Sequence, residues 1–416
     1  MSFFIQSLFI VVPIFFVLIV VEEIASRIIG MQVNRSADLI SSLSSGISNI
    51  TKDAMKLSIV IISYSWFLER LMIYKLEPVW AAVLVAVIVQ DFTGYWLHRL
   101  NHRVNVFWNR HIIHHSSEEF NLSCALRQSI SETVHFGAIL MIPAALLGIP
   151  AKIFSIIGPI HLFMQFWYHT KLINKLGWLE YIIITPSHHR VHHAINPEYL
   201  DKNYGQIFVI WDKIFESFQP EMKNVKPIYG TLRPVSTWNP IIINYKHLWQ
   251  LVQDAYHTKN IWDKIRIWFM PTGWRPEDVK KQYPIYAITN PHKQKKYKTI
   301  NSFPFIIWSF IQLNISVILM FHFFTIIHLQ SMTLNYIYGA LIILHIFSFT
   351  SALDRKKYSI GIELSKIFII LGLIYQQDYL WFDLQGPYVY VLIVYSIISI
   401  TLIYYFYNKS KFQIAQ

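Results

Sequence analysis

Ten imidazoles in four tight groups carry the chemistry of this chain. They read His98-Arg-Leu-Asn-His102, His111-Ile-Ile-His114-His115, Gln165-Phe-Trp-Tyr-His169 and His188-His189-Arg-Val-His192-His193. All lie in or beside strongly apolar stretches, where polar side chains are costly unless they pair or bind something. Residues three and four apart share a helix face, so His98 and His102 point the same way. His111 shares a face with His114 and His115, and that adjacent pair diverges by about 100°. His189, His192 and His193 repeat the geometry, and His188, one turn before His192, adds a further candidate. A short helix bearing an adjacent pair can thus reach two metal ions. Eight to ten imidazoles are too many for one tetrahedral zinc and suit two metals of higher coordination. Imidazole serves zinc, copper, iron and nickel alike, so ligand type alone does not name the metal. Carboxylates are scarce nearby (Asp91, Glu118, Glu119 and Glu132), unlike the Glu-rich sites of soluble di-iron bundles. The isolated His135, His161, His247, His257, His292, His322, His328 and His345 read as ordinary hydrogen-bonded residues.

The elements that must position these groups are membrane helices. Of 416 residues, 54% are hydrophobic, 16% aromatic and only 14% charged. The net charge of +12 reads as a topology signal, because basic residues gather on the cytoplasmic side and meet anionic headgroups. No basic soluble module is delimited, so no nucleic-acid partner is expected. The single cysteine, Cys124, excludes an intrachain disulfide and multi-thiolate metal sites and reads as a small buried side chain. Stretches of about 20 apolar residues predict spans at Phe3–Val21, Met55–Tyr74, Val79–Leu97, Phe303–Leu329, Leu334–Ser351, Ile362–Leu380 and Tyr388–Tyr407. The first is read as a retained helix, not a cleaved signal. Val134–Thr170, broken by Pro143, Gly148, Pro150, Gly158 and Pro159, predicts two shorter helices that dip in and return. With the N-terminus outside, the basic connections Glu22–Lys52, Arg99–Thr133 and Lys171–Thr299 face the cytoplasm, as do Arg355–Lys357 and the Lys409/Lys411 tail. Every histidine group then lies at cytoplasmic helix ends. The expected fold is an all-α, multi-pass membrane protein. Its expected divisions are N-terminal helices (1–78), a catalytic domain (79–218), a cytoplasmic connecting region (219–302) and a four-helix membrane region (303–416). The basic run His292–Lys298 reads as a headgroup-level stretch.

These motifs resemble the fatty acid hydroxylase and sterol desaturase superfamily of membrane oxygenases. The segment His114–Ser129 is similar to the alkylglycerol monooxygenase branch, as are Gln165–Thr170, Thr185–His193, Asp201–Gly205 and Ile210–Phe215. The resemblance covers about Gln90–Phe218. Where the branch commonly has a Gly-Thr step, this chain has Glu216-Ser217. The resemblance implies two irons held by His98, His102, His111, His114, His115, His169, His189, His192 and His193, with His188 as a further candidate. It also implies O2 as oxidant, a lipid C–H bond as target and an electron donor, tetrahydrobiopterin in that branch. The expected reaction is hydroxylation of the ether carbon of an alkylglycerol, giving an aldehyde and glycerol. Hydroxylation or desaturation of a fatty acyl chain or sterol is the alternative within the superfamily. A histidine-dependent metal transporter and a metal-stabilised scaffold are the alternatives outside it. Tyr95, Trp96, Trp108, Phe166, Trp167 and Tyr168 read mainly as packing or interfacial residues, with lining of an acyl slot as the alternative. Arg99, Arg110, Arg127 and Arg190 read as headgroup-level charge or as partners that orient the groups around the metals.

Overall fold

The computed structural model describes residues 3–414, with side chains described for 5–409; Lys411 of the basic tail falls outside those side chains. Eleven helices carry the architecture. The N-terminal part holds α1 (Phe3–Ile28), α2 (Ser36–Ala54), α3 (Val79–Arg103), α4 (Asn105–His115), α5 (Ala151–Met164) and α6 (Pro186–His192). There follow α7 (Pro240–His257), α8 (Phe303–Ile326), α9 (Met332–Leu353), α10 (Tyr358–Gln376) and α11 (Pro387–Ile414). The only sheet among the described residues is a two-residue parallel pairing of Ile59–Val60 with Val134–His135. Among the described residues, six helices are long and apolar enough to cross a membrane: Ile5–Ile28, Val79–Arg103, Phe303–Ile326, Met332–Leu353, Tyr358–Gln376 and Pro387–Lys409. They fit an integral membrane protein.

The expected span Met55–Tyr74 does not form. Helix α2 ends before Met55, Lys56 takes a φ of 56°, and Ile59 and Val60 enter the strand pairing. Ser63 then accepts the Trp66 N–H and starts a separate short helix, Tyr64–Leu71. The β-branched run Ile59–Ile62 favours extended backbone, and Ser58 and Ser63 bracket it. Hydropathy alone does not register that interruption. Conversely, the Glu22–Lys52 segment, expected as a connection, holds α2. Its Ser41, Ser42, Ser44, Ser45 and Ser48 are fully buried, and the helix packs against α8, α9 and the turn Leu122–Leu126. Such small side chains let helix backbones approach closely. Val134–Thr170 divides as its prolines and glycines predict, into apolar helices Gly137–Leu146 and Ala151–Met164. Gly148 makes the turn at φ +62°, where a Cβ would lie 2.6 Å from the Tyr74 carbonyl oxygen.

The largest apolar core joins α2 to the C-terminal helices through Met55, Met320, Phe323, Phe324, Tyr338 and Ile342. A polar network runs through the same bundle. Lys366 Nζ lies 2.7 Å from Glu363 Oε1 and 3.0 Å from His345 Nδ1, and His345 Nε2–H donates to the Gln312 carbonyl at 3.0 Å. Ser348 and Ser399 donate to the Glu363 carboxylate. All six residues are buried, and they satisfy one another, as buried ionisable groups among membrane helices must.

Helix α7 ties this bundle to the rest. Asn239 caps it by accepting the Ile241 and Ile242 N–H groups, while its Nδ2 donates to the Phe347 carbonyl and to Ser351. Asn239→Ala is expected to lower stability by about 0.5–2 kcal/mol, the range for losing a helix N-cap. Thermal unfolding of the detergent-solubilised chain measures it.

Candidate metal centre

The histidines are brought together by a sharp helix reversal. Helix α3 ends at Val104, which is extended (φ −121°, ψ 128°), and α4 begins at the next residue. Asn105 fixes the corner, its Nδ2 donating to the carbonyls of Ile267 and Trp274 at 3.0 Å each. His98 and His102, one turn apart on α3, thereby face His111 and His115 on α4. Helix α6 supplies the third wall. It opens on Pro186, whose ring suits the first helical position, and every one of its residues is buried.

Two sets of ring nitrogens result. His98, His102, His111, His115 and His192 form one, and His114, His169, His189 and His193 the other, with the candidate ligand atoms of each set within 4.8 Å of one another. Adjacent residues split between them, His115 and His192 to the first, His114 and His193 to the second, as side chains diverging by about 100° should. His188 is not brought to either set. It lies one residue before His189, so its ring turns to the other side of α6 and meets Phe218 at 5.3 Å between centroids. The shared face of residues 188 and 192 did not outweigh that turn. His188→Gln is expected to leave bound metal per folded protein unchanged, whereas His189→Gln lowers it by about tenfold or more; metal analysis of the two purified variants separates them.

The ring protonation follows from the outer partners. His98 Nδ1–H donates to the Tyr204 carbonyl at 2.8 Å, His192 Nδ1–H to Lys202 at 2.9 Å, and His169 Nδ1–H to Gln165 at 2.9 Å. A carbonyl only accepts, so each Nδ1 carries the proton and each Nε2 is left with a lone pair. Those Nε2 atoms face other Nε2 atoms: His98 meets His111 at 3.0 Å, His192 meets His115 at 3.1 Å, and His169 meets His189 at 2.8 Å and His114 at 3.2 Å. His102 Nε2 is buried with no hydrogen-bond partner. The lone pairs of His98, His192 and His169 point at crowded neighbouring ring nitrogens, and a buried ring nitrogen left without a partner, as on His102, is unfavourable by itself; a cation among them removes that penalty. Burial, and then the neighbouring imidazoles, hold His111, His114, His115, His189 and His193 well below the ordinary value of 6.5. Burial pushes His169 down to about 3. These rings are neutral at pH 7, the form that ligates. The residues fit metal ions.

Aromatic rings close the centre. Trp108 lies 5.1 Å from His102, Phe120 5.2 Å from His193 and Tyr168 4.3 Å from His189. Tyr95 and Trp96 pack on Phe215 instead, and Phe166 stacks on Phe15 of α1. The four arginines brace the scaffold. Arg127 pairs with Asp38 at 2.8 Å and donates to Ser116, Arg190 pairs with Glu221 at 2.7 Å, and Arg110 pairs with Glu132. Arg99 donates to the Tyr95 hydroxyl and the Phe215 carbonyl. The segments Asp201–Gly205 and Ile210–Phe215 gain a physical role here. Asp201 and Asn203 adopt φ of 58° and 56°, and the loop they shape presents the Lys202 and Tyr204 carbonyls to His192 and His98. Asp212 accepts the Tyr204 N–H at 2.7 Å, the Gly205 N–H at 2.8 Å and the Ser217 hydroxyl at 2.7 Å. At the departure from the branch, Glu216 carries φ +58°, a conformation glycine adopts freely. Sequence reasoning missed Asp212 and the Asp91–His161 pair (2.9 Å). Asp91 also accepts from the Ile207 and Phe208 N–H groups and from Trp211 Nε1. Its only sequence signal was a lone acid inside an apolar helix.

Residues 83–217 match the model of the fatty acid hydroxylase family. The chain is 38% identical over 269 residues to alkylglycerol monooxygenase of Homo sapiens, covering 64% of this chain and 59% of that protein. It is 39% identical over 245 residues to alkylglycerol monooxygenase of Danio rerio, covering 58% and 53%. It is 31% identical over 141 residues to the ornithine lipid hydroxylase OlsE of Rhizobium tropici, covering 34% and 43%. The matched part thus spans less than two thirds of these relatives' length. No solved structure matches the chain.

Proposed function

We propose that this chain is a membrane di-iron lipid monooxygenase that hydroxylates the ether carbon of an alkylglycerol. The observation that carries the proposal is the interleaving of two neutral imidazole sets through the adjacent pairs His114/His115 and His192/His193. His98, His102, His111, His115 and His192 would hold one iron, and His114, His169, His189 and His193 the other. When bound, the irons supply the redox chemistry that splits O2. The chain contributes neutral, pre-oriented ligands, a buried surround that keeps water away, and apolar helices that deliver a lipid from the side. In balance, one oxygen atom enters the C–H bond next to the ether oxygen. The other leaves as water with two electrons and two protons from a reductant. The resulting hemiacetal separates into an aldehyde and glycerol. The reductant is tetrahydrobiopterin by the family resemblance. It would approach from the membrane face at which the two histidine sets lie. The similarity to two alkylglycerol monooxygenases favours the ether substrate over an acyl chain or sterol.

Membranes containing the chain, supplied with iron, O2, a reduced pterin and an alkylglycerol, are expected to release the long-chain aldehyde. Hydroxy-acyl or desaturated products with the ether left intact would overturn the ether assignment.

A further inference from the structure

The basic run after Pro291 borders a cavity. Lys293, Lys295, Lys296 and Lys298 form one rim of a cavity of about 750 Å³, within the range of sites for small molecules. Arg233 and Lys246 stand on a different segment and form another part of its wall, and Ile112, Val235, Ile288 and Tyr297 give it an apolar lining. The charge around it is unbalanced. Glu118, its one carboxylate, is taken by Arg35 at 3.2 Å and by the Tyr297 N–H at 2.7 Å, and Lys296 is paired with Glu119. Among the described residues, Arg233, Lys246, Lys293, Lys295 and Lys298 have no carboxylate within ion-pair distance. Arg233 donates only to the Gly273 carbonyl (2.7 Å) and Lys246 only to the carbonyls of Pro234 and Val235. Burial and the nearby Arg275 hold the Arg233 guanidinium below its ordinary value, against the pull of Asp254, which is itself paired with Arg275.

The cavity also has a direction. Ile112 lies on α4, one turn before His115. A small recess shares Glu118, Val235, Ser236 and Tyr297 with the cavity and reaches Ser116 and Arg127. Ser116 directly follows His115. We propose that this cavity is a binding site for a phosphate-bearing molecule, its phosphate held by Arg233 and the lysine rim and its less polar part against Ile112, Val235, Ile288 and Tyr297. Guanidinium and ammonium groups from two segments recognise phosphate through charge-assisted hydrogen bonds. The phosphate comes either from a membrane phospholipid headgroup or from a soluble phosphorylated molecule.

The test uses the full, iron-loaded chain in phosphatidylcholine nanodiscs. Calorimetric titration with inorganic pyrophosphate probes the soluble source, and doping with phosphatidic acid, followed by native mass spectrometry, probes the lipid source. The cavity variant combines Arg233→Gln, Lys293→Gln, Lys295→Gln and Lys298→Gln. The control removes equal charge elsewhere through Lys223→Gln, Lys259→Gln, Lys280→Gln and Lys281→Gln. The expected result is saturable binding of one probe, weakened about tenfold or more in the cavity variant and kept in the control, with iron content and unfolding temperature unchanged in both. Pyrophosphate binding assigns a soluble ligand, and retained phosphatidic acid assigns a headgroup. Binding of neither probe, or equal weakening in both variants, overturns the proposal.

Discussion

Replacing His192 by alanine is expected to abolish aldehyde release while leaving the chain in the membrane. His192 belongs to the five-residue set and directly precedes His193 of the other. Its Nε2 lies 3.1 Å from His115 Nε2, its ring is 4.4 Å from His98 and 4.7 Å from His102, and its neighbour His193 serves the other set. Loss of an outer partner of a metal ligand typically reduces affinity or activity by about 10–100-fold, so loss of a ligand itself is expected to exceed about 100-fold. Helix α6 is bounded by Pro186 and held in place by the Arg190–Glu221 pair, neither of which alanine at 192 disturbs. The measurement is aldehyde formation by membranes matched for protein content, beside iron per chain. Undiminished turnover would sink the di-iron assignment. A chain missing from the membrane fraction would favour the scaffold alternative, in which the metal only stabilises the fold.

The gathering of nine imidazoles into two sets was legible because its signal is local. Spacing of three and four places imidazoles on one face, and an adjacent pair places them on two, so the division of His114 from His115 follows from helix geometry alone. His188 shows the limit of the same rule. It shares a rough face with His192, but the orientation of α6 is set by long-range packing, and that turns residue 188 towards Phe218. The four C-terminal helices were legible from hydropathy, which reports length and apolarity. Met55–Tyr74 was not, since hydropathy is indifferent to whether Ile59 and Val60 pair with Val134 and His135. Helix α2 escaped notice for the opposite reason: its buried face is built of serines, which read as a polar connection until α8 and α9 are seen against them. The carbonyls that fix the ring tautomers had no residue-type signature. Every residue has one, and only the backbone path of 201–205 selects those of Lys202 and Tyr204.

That path makes Asp212 the most sensitive position outside the histidines. The side chain is fully buried and accepts from two successive backbone N–H groups and from Ser217, which in turn is 2.8 Å from the Tyr95 hydroxyl. The fold presses on the loop from the other side as well: a Cβ on Gly205 would come within 2.9 Å of Ile184 and of the Phe208 carbonyl oxygen. Asp212→Ala would leave the Tyr204 and Gly205 N–H groups buried without an acceptor, at about 1–3 kcal/mol each. The loop relieves that penalty by moving, and the Tyr204 carbonyl moves with it, away from His98 Nδ1–H. His98 then loses the bond that sets its tautomer and orientation. Iron affinity is expected to fall about 10–100-fold, with aldehyde formation falling in parallel. Because the lesion is in ligand orientation and not in ligand number, excess iron should restore much of the Asp212→Ala activity and none of the His192→Ala activity. Asp212→Glu, which keeps a carboxylate, should retain more iron than Asp212→Ala. Iron titration of the three variants, read as metal bound per chain and as turnover at saturating iron, decides it. Equal affinity in the wild type and Asp212→Ala would show that the 201–205 loop does not position His98.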